Sequence, residues 1–110
     1  MSSWQQIGSD IDGEAAGDMS GFTVSLSSDG SVVAIGGRLN DENGNDSGHV
    51  RIYQNNGGNW QQIGSDIDGE AADDQSGYSV SLSSDGSVVA ISSVRNDGNG
   101  NESGHVRIYQ

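Results

Sequence analysis

Short runs of alternating apolar and polar residues, separated by turns rich in Gly, Ser, Asn and Asp, fill this chain of 110 residues. Apolar side chains at every second position mark half-buried strands, because successive side chains of a strand point to opposite faces. In Thr23-Val24-Ser25-Leu26-Ser27, Val24 and Leu26 make one face apolar while hydroxyls line the other. Asp29-Gly30 follows, a dipeptide that suits the positive φ angles of a tight hairpin turn. Ser31 to Ile35 is β-branched and apolar for most of its length, as befits a strand covered on both sides. His49 to Gln54 alternates again, with Val50 and Ile52 opposed to His49, Arg51 and Tyr53. After a turn at Asn55 to Asn59, Trp60 to Ile67 supplies a fourth strand. Nothing has helical periodicity, so the pattern predicts an all-β protein built from four-stranded antiparallel meanders.

The pattern is written twice. Trp-Gln-Gln-Ile-Gly-Ser-Asp-Ile-Asp-Gly-Glu-Ala-Ala begins at Trp4 and again at Trp60, and the copies 4–54 and 60–110, 56 residues apart, differ at ten of fifty-one positions. Such a period belongs to repeat architectures, in which one unit cannot bury its own apolar face and stacks on its neighbours. Two stacked sheets leave both outer faces wet, and radial closure into a β-propeller removes them. The repeat divides the chain into an N-terminal outer strand (residues 1–11) that completes a neighbour's blade, a first blade (12–67), and a second blade (68–110) lacking its outer strand. The expected assembly is therefore a ring completed by oligomerisation with strand exchange, two blades per chain. A trimer of six blades and a tetramer of eight are the candidates, head-to-tail contacts closing on themselves. The alternative is a monomeric β-sandwich of two related halves.

Composition changes this picture little. Leu, Ile, Val and Phe total 21 residues and the net charge is −12, a combination that borders on disorder but is offset by the ordered alternation. The acidic balance, with Arg38, Arg51, Arg95 and Arg107 as the only Lys or Arg cations, argues against nucleic acid and anionic membranes as partners. There is no cysteine, and no apolar run approaches the roughly 18–20 residues of a membrane span.

Ser20-Gly21-Phe22-Thr23-Val24-Ser25-Leu26, Asp29-Gly30, Val33-Ala34-Ile35-Gly36 and Gly48-His49-Val50-Arg51-Ile52-Tyr53, with Gly77-Tyr78-Ser79-Val80-Ser81-Leu82 and Gly104-His105-Val106-Arg107-Ile108-Tyr109 in register, resemble the FG-GAP repeat of integrin α-subunit propellers. The resemblance implies blades of a propeller from an extracellular binding or adhesion module, with calcium or a glycan among the ligands. The hairpin that carries calcium in such blades has one carboxylate here, Asp29.

Oxygen ligands at calcium-loop spacing occur at Asp10, Asp12 and Glu14, at Asp41, Asn43 and Asn45, and at Asp97, Asn99 and Asn101, and calcium takes about six to eight such ligands. The same residue types are also ordinary loop formers that bond their own backbone. His49 and His105 read as hydrogen-bonding strand residues, and Arg51 and Arg107 as partners for a loop carboxylate. Trp4 and Trp60 read as packing between blades. Four of the ten differences are consecutive, Gly36, Gly37, Arg38 and Leu39 against Ser92, Ser93, Val94 and Arg95. This variable edge on a constant frame marks Arg38, Leu39, Val94 and Arg95 as a candidate recognition surface for a protein or glycan ligand. No phosphate loop or Ser-His-Asp order is present. The expected function is a non-enzymatic, self-assembling propeller scaffold, either excerpted from a larger propeller or designed as a repeat, with no required cofactor. Lectin-like carbohydrate binding and calcium-dependent adhesion are the alternatives.

Overall fold

The structure, a computed structural model, describes residues 4–13, 17, 20–38, 47–70, 74–93 and 104–110. All regular structure among them is β: β1 (Thr23–Leu26), β2 (Val32–Gly37), β3 (His49–Asn56), β4 (Asn59–Gln62), β5 (Ile67–Asp68), β6 (Ser79–Leu82), β7 (Val89–Ser93) and β8 (His105–Tyr109). They form two antiparallel sheets, a meander of order β1-β2-β3-β4 with β5 also on β3, and a meander of order β6-β7-β8. All six residues of β2 are buried, as expected of a central strand apolar on both faces.

The hairpins differ in kind. Gly57 and Gly58 both have positive φ, at 65° and 94°, between the paired Asn56 and Asn59. They make a two-residue turn whose twist matches its strands. At Asp29-Gly30 the expected tight turn is a longer loop. Ser27 and Val32 close it through Ser27 N–H to Val32 C=O at 2.9 Å, and only Gly30 of the pair is left-handed. Asp29 braces it from within, one carboxylate oxygen accepting from Ser31 N, Ser31 Oγ and Ser27 Oγ at 3.0, 2.7 and 3.0 Å.

One expectation about the fourth strand changes. The segment from Trp60 to Ile67 is not continuous. Gln62 pairs with Tyr53 and Ile67 with Val50, so residues 63–66 stand opposite only Arg51 and Ile52. A two-residue bulge splits the strand into β4 and β5, with Gly64 at φ 70° supplying the bend. Residues 4–11, the sequence copy of that strand, carry no strand in the single chain. The edge of β3 to which their copy bonds is already taken by β4 and β5.

The sheets pack face to face, and not on equivalent faces. Register puts Thr23, Ser25, Ala34, Gly36, Val50 and Ile52 on one face of the first sheet, and Val24, Leu26, Val33, Ile35, Arg51 and Tyr53 on the other. The first of these faces meets the second sheet, because Leu82 N–H donates to Ser25 Oγ at 3.0 Å and a Cβ on Gly36 would strike the Gly77 carbonyl. The second sheet answers with its opposite type of face, placing Val80, Val89 and Ile91 in the core with Ala34 and Val50. The small hydroxyl of Ser25 lets β6 approach β1 closely and gives the Leu82 amide an acceptor, so the hydroxyl side of β1 turns inward.

Candidate functional site

The bulge gathers charged side chains over β3. His49 and Arg51 lie on one face by the two-residue strand period, and the bend at Gly64 brings Asp66 back above them. Arg51 Nε and Nη2 donate to the two Asp66 carboxylate oxygens at 2.9 and 3.1 Å, and Gln62 Nε2 donates to Oδ1 at 2.6 Å. His49 Nδ1 stands 3.7 Å from Asp66 Oδ2. The pair is bidentate and mostly buried, 19% and 14% exposed, which makes it stronger than a surface ion pair. Asp68 on β5 is the register partner of His49, and ligand atoms of His49, Asp66 and Asp68 lie within 4.8 Å of one another. One imidazole and two carboxylates suit a transition metal better than calcium. The Arg51 guanidinium already covers both Asp66 oxygens, so a cation entering there must displace it.

The second repeat has the same His and Arg with a different acid. Arg107 Nη2 donates to Glu70 Oε2 at 2.9 Å, and His105 Nδ1 lies 3.9 Å from Glu70 Oε1. This contact is monodentate and open, its partners 46% and 45% exposed. A hydrogen bond with the Tyr109 side chain and the charge of Glu70 hold Arg107 above the ordinary guanidinium value.

Residues 6–12 reproduce the bulge without a sheet to carry it. Gln6 Nε2 donates to Asp10 Oδ1 at 2.8 Å, as Gln62 does to Asp66, and Gly8 has φ 72° where Gly64 has 70°. Trp60 Nε1 donates to the Ile7 carbonyl at 2.9 Å. Ser9, Ile11 and Tyr53 line a cleft of about 320 Å³, and their counterparts Ser65, Ile67 and Tyr109 line one of about 360 Å³ between the sheets. The N-terminal segment thus lies on the first sheet where its copy lies on the second.

Of the metal candidates, Asp10 and Asp12 are exposed in this cleft; Glu14, Asp41, Asn43, Asn45, Asp97, Asn99 and Asn101 lie outside the described residues, as do Leu39, Val94 and Arg95 of the recognition surface. Arg38 is half-buried. Its guanidinium sits 4.4 Å above the Phe22 ring and 5.7 Å from that of Tyr78, and Nη1 donates to Gln75 Oε1 at 2.6 Å. Phe22 and Tyr78 are equivalent positions of the two repeats, with ring centroids 5.3 Å apart, so Arg38 ties one repeat to the next. Trp60 packs at the β4 edge as a half-buried residue, whereas Trp4 is fully exposed in the single chain. The alternation placed Arg51 and Arg107 for carboxylate partners; that Asp66 is the partner of Arg51 depends on the bulge, whose signal is Gly64 inside an otherwise alternating run.

Apolar side chains remain open at two places, on β1 of the first sheet, beside the buried Val33 and Ile35 of the same face, and on β8 of the second, and each is the sequence copy of a covered position. Val50 is 0% exposed and Val106 64%; Val80 is 8% exposed and Val24 59%. Leu26 and Ile108 accompany Val24 and Val106 in the open. Compared with known proteins, the chain matches no family model, no curated protein and no solved structure.

Proposed function

We propose that this chain is a propeller-forming scaffold that stacks head-to-tail on copies of itself into a closed ring, of the FG-GAP kind its motifs resemble. The carrying observation is that one face type of the second sheet covers the other face type of the first. A stack of this kind uses a different surface on each partner, so it can repeat from chain to chain, and it forms a ring where the rotation per chain closes. The open face at Val106 and Ile108 has the sequence of the face that receives the second sheet, and the open face at Val24 and Leu26 has the sequence of the face that inserts. Apolar burial of about 1.5–3 kcal/mol per large aliphatic side chain is available at each joint. The free edge of β8, bonded only to β7 among the described residues, is a template for residues 4–11 of the next copy.

Light scattering tests this. Three chains of 11.4 kDa give about 34 kDa and four about 46 kDa, and either mass is the expected result, while a well-folded species of one chain mass overturns it. Ile108→Asp places a charge on the open face and is expected to yield folded monomer. Ile52→Asp, at the equivalent position packed against the core, is expected to unfold the chain.

A further inference from the structure

Within the chain, the sequence Ser-Asp-Ile-Asp-Gly occurs twice, at 9–13 and 65–69. The second instance meets His49 and Arg51; among the described residues the first meets neither histidine. Arg107, identical in sequence context to Arg51, holds Glu70 through one exposed hydrogen bond among the described residues, with His105 3.9 Å from the same carboxylate. Asp10, meanwhile, is already held by Gln6 in the manner of Asp66, on a backbone already bent at Gly8. An acid lacking the base of its copy and a base lacking the acid of its copy thus stand on the surfaces that stacking would join.

We propose that Asp10 and Asp12 of one copy dock on His105 and Arg107 of its neighbour, rebuilding between chains the arrangement in which Asp66 clasps Arg51 while Asp68 stands opposite His49 within one. This rests on the self-assembly reading and specifies it. In the assembly Gln6 pairs with Tyr109 and Ile11 with Val106, the registers that Gln62 and Ile67 have with Tyr53 and Val50. Arg107 exchanges the single contact with Glu70 for a two-point contact with Asp10, and Asp12 comes beside His105. A bidentate guanidinium–carboxylate contact fixes orientation as well as adding attraction, so the clasp selects the register of the exchanged segment. A slip by one residue would turn every side chain to the wrong face and part the acid from the base. Each site is complete only with a second copy present.

A double-mutant cycle on the full chain tests this. The readout is the concentration at which the assembly dissociates on dilution, followed by sedimentation velocity for wild type, Asp10→Asn, Arg107→Ala and the double variant, with circular dichroism confirming folded chains. Each single change is expected to raise that concentration about tenfold, and the double no more than either single, because both remove one interaction. An assembly that forms but ignores the single changes, or in which their effects add, overturns the clasp and leaves the ring standing. A weakening by Glu70→Gln as large as that by Asp10→Asn leaves Arg107 with Glu70 and also overturns the clasp. Wild type that stays at one chain mass overturns clasp and ring together.

Discussion

Asp29 and Asp85 show how one side chain can set a turn. The Ser31 hydroxyl, then the Ser31 amide and the Ser27 hydroxyl, donate to the ionised Asp29 carboxylate and lower its pKa from the ordinary 3.8. Ser87 and Ser83 do the same for Asp85. A carboxylate depressed in the fold stabilises it at every pH above the unfolded value, and that contribution is lost as pH falls through the folded value. Both hairpins are therefore expected to keep their bracing above about pH 4 and to loosen only under stronger acid. Carboxyl NMR titration checks this, and a midpoint for either residue at or above 3.8 would contradict it. The Asp-Gly signal was legible in the sequence; the four-residue loop was not, because its length depends on flanking serines that the dipeptide rule leaves out.

At the scale of elements, the join between the sheets depends on backbone lying against backbone. Gly48 has φ 80° and bridges Ser76, and a Cβ there would run into the Ser76 carbonyl and amide; Gly57 also has positive φ, 65°, but faces open space. Gly48→Ala is expected to cost about 2–5 kcal/mol, combining left-handed strain with overpacking, against about 1–2 kcal/mol for Gly57→Ala. Urea unfolding of the two variants measures the difference. The element pattern was readable because alternation and the repeat reinforce each other. The bulge at 63–66 was not, since an isolated glycine in a strand permits a bulge without requiring one.

For the whole molecule, the joint proposed between chains departs from the joint within one at a telling place. Gly36 leaves room for the Gly77 carbonyl, whereas the equivalent position on the second sheet is Ser92, whose hydroxyl is already enclosed in the single chain and whose Cβ would stand against the neighbour's Gly21. Ser92→Gly is expected to tighten the assembly, lowering its dissociation concentration in the same sedimentation assay; no change would place this joint at a wider spacing than the internal one. Net charge acts alongside, since chains carrying −12 each repel, and moderate salt screens that repulsion. Added salt is expected to favour assembly until the clasp itself is screened.

The sequence by itself determined most of the strands, their meander order and the equivalence of the two repeats, because each is written in local alternation, turn residues and a 56-residue period. It also offered the arginines two residues beyond each histidine as partners for a loop carboxylate. Which face of each sheet turned inward was a tertiary decision: Val24 and Val80 sit in nearly the same sequence, yet one is open and the other buried, because only the second has a sheet against it. The same holds for Arg51 and Arg107. Identical residues acquired different partners because a neighbour in space, and not a neighbour in the chain, supplies the surface and the charge that each side chain meets.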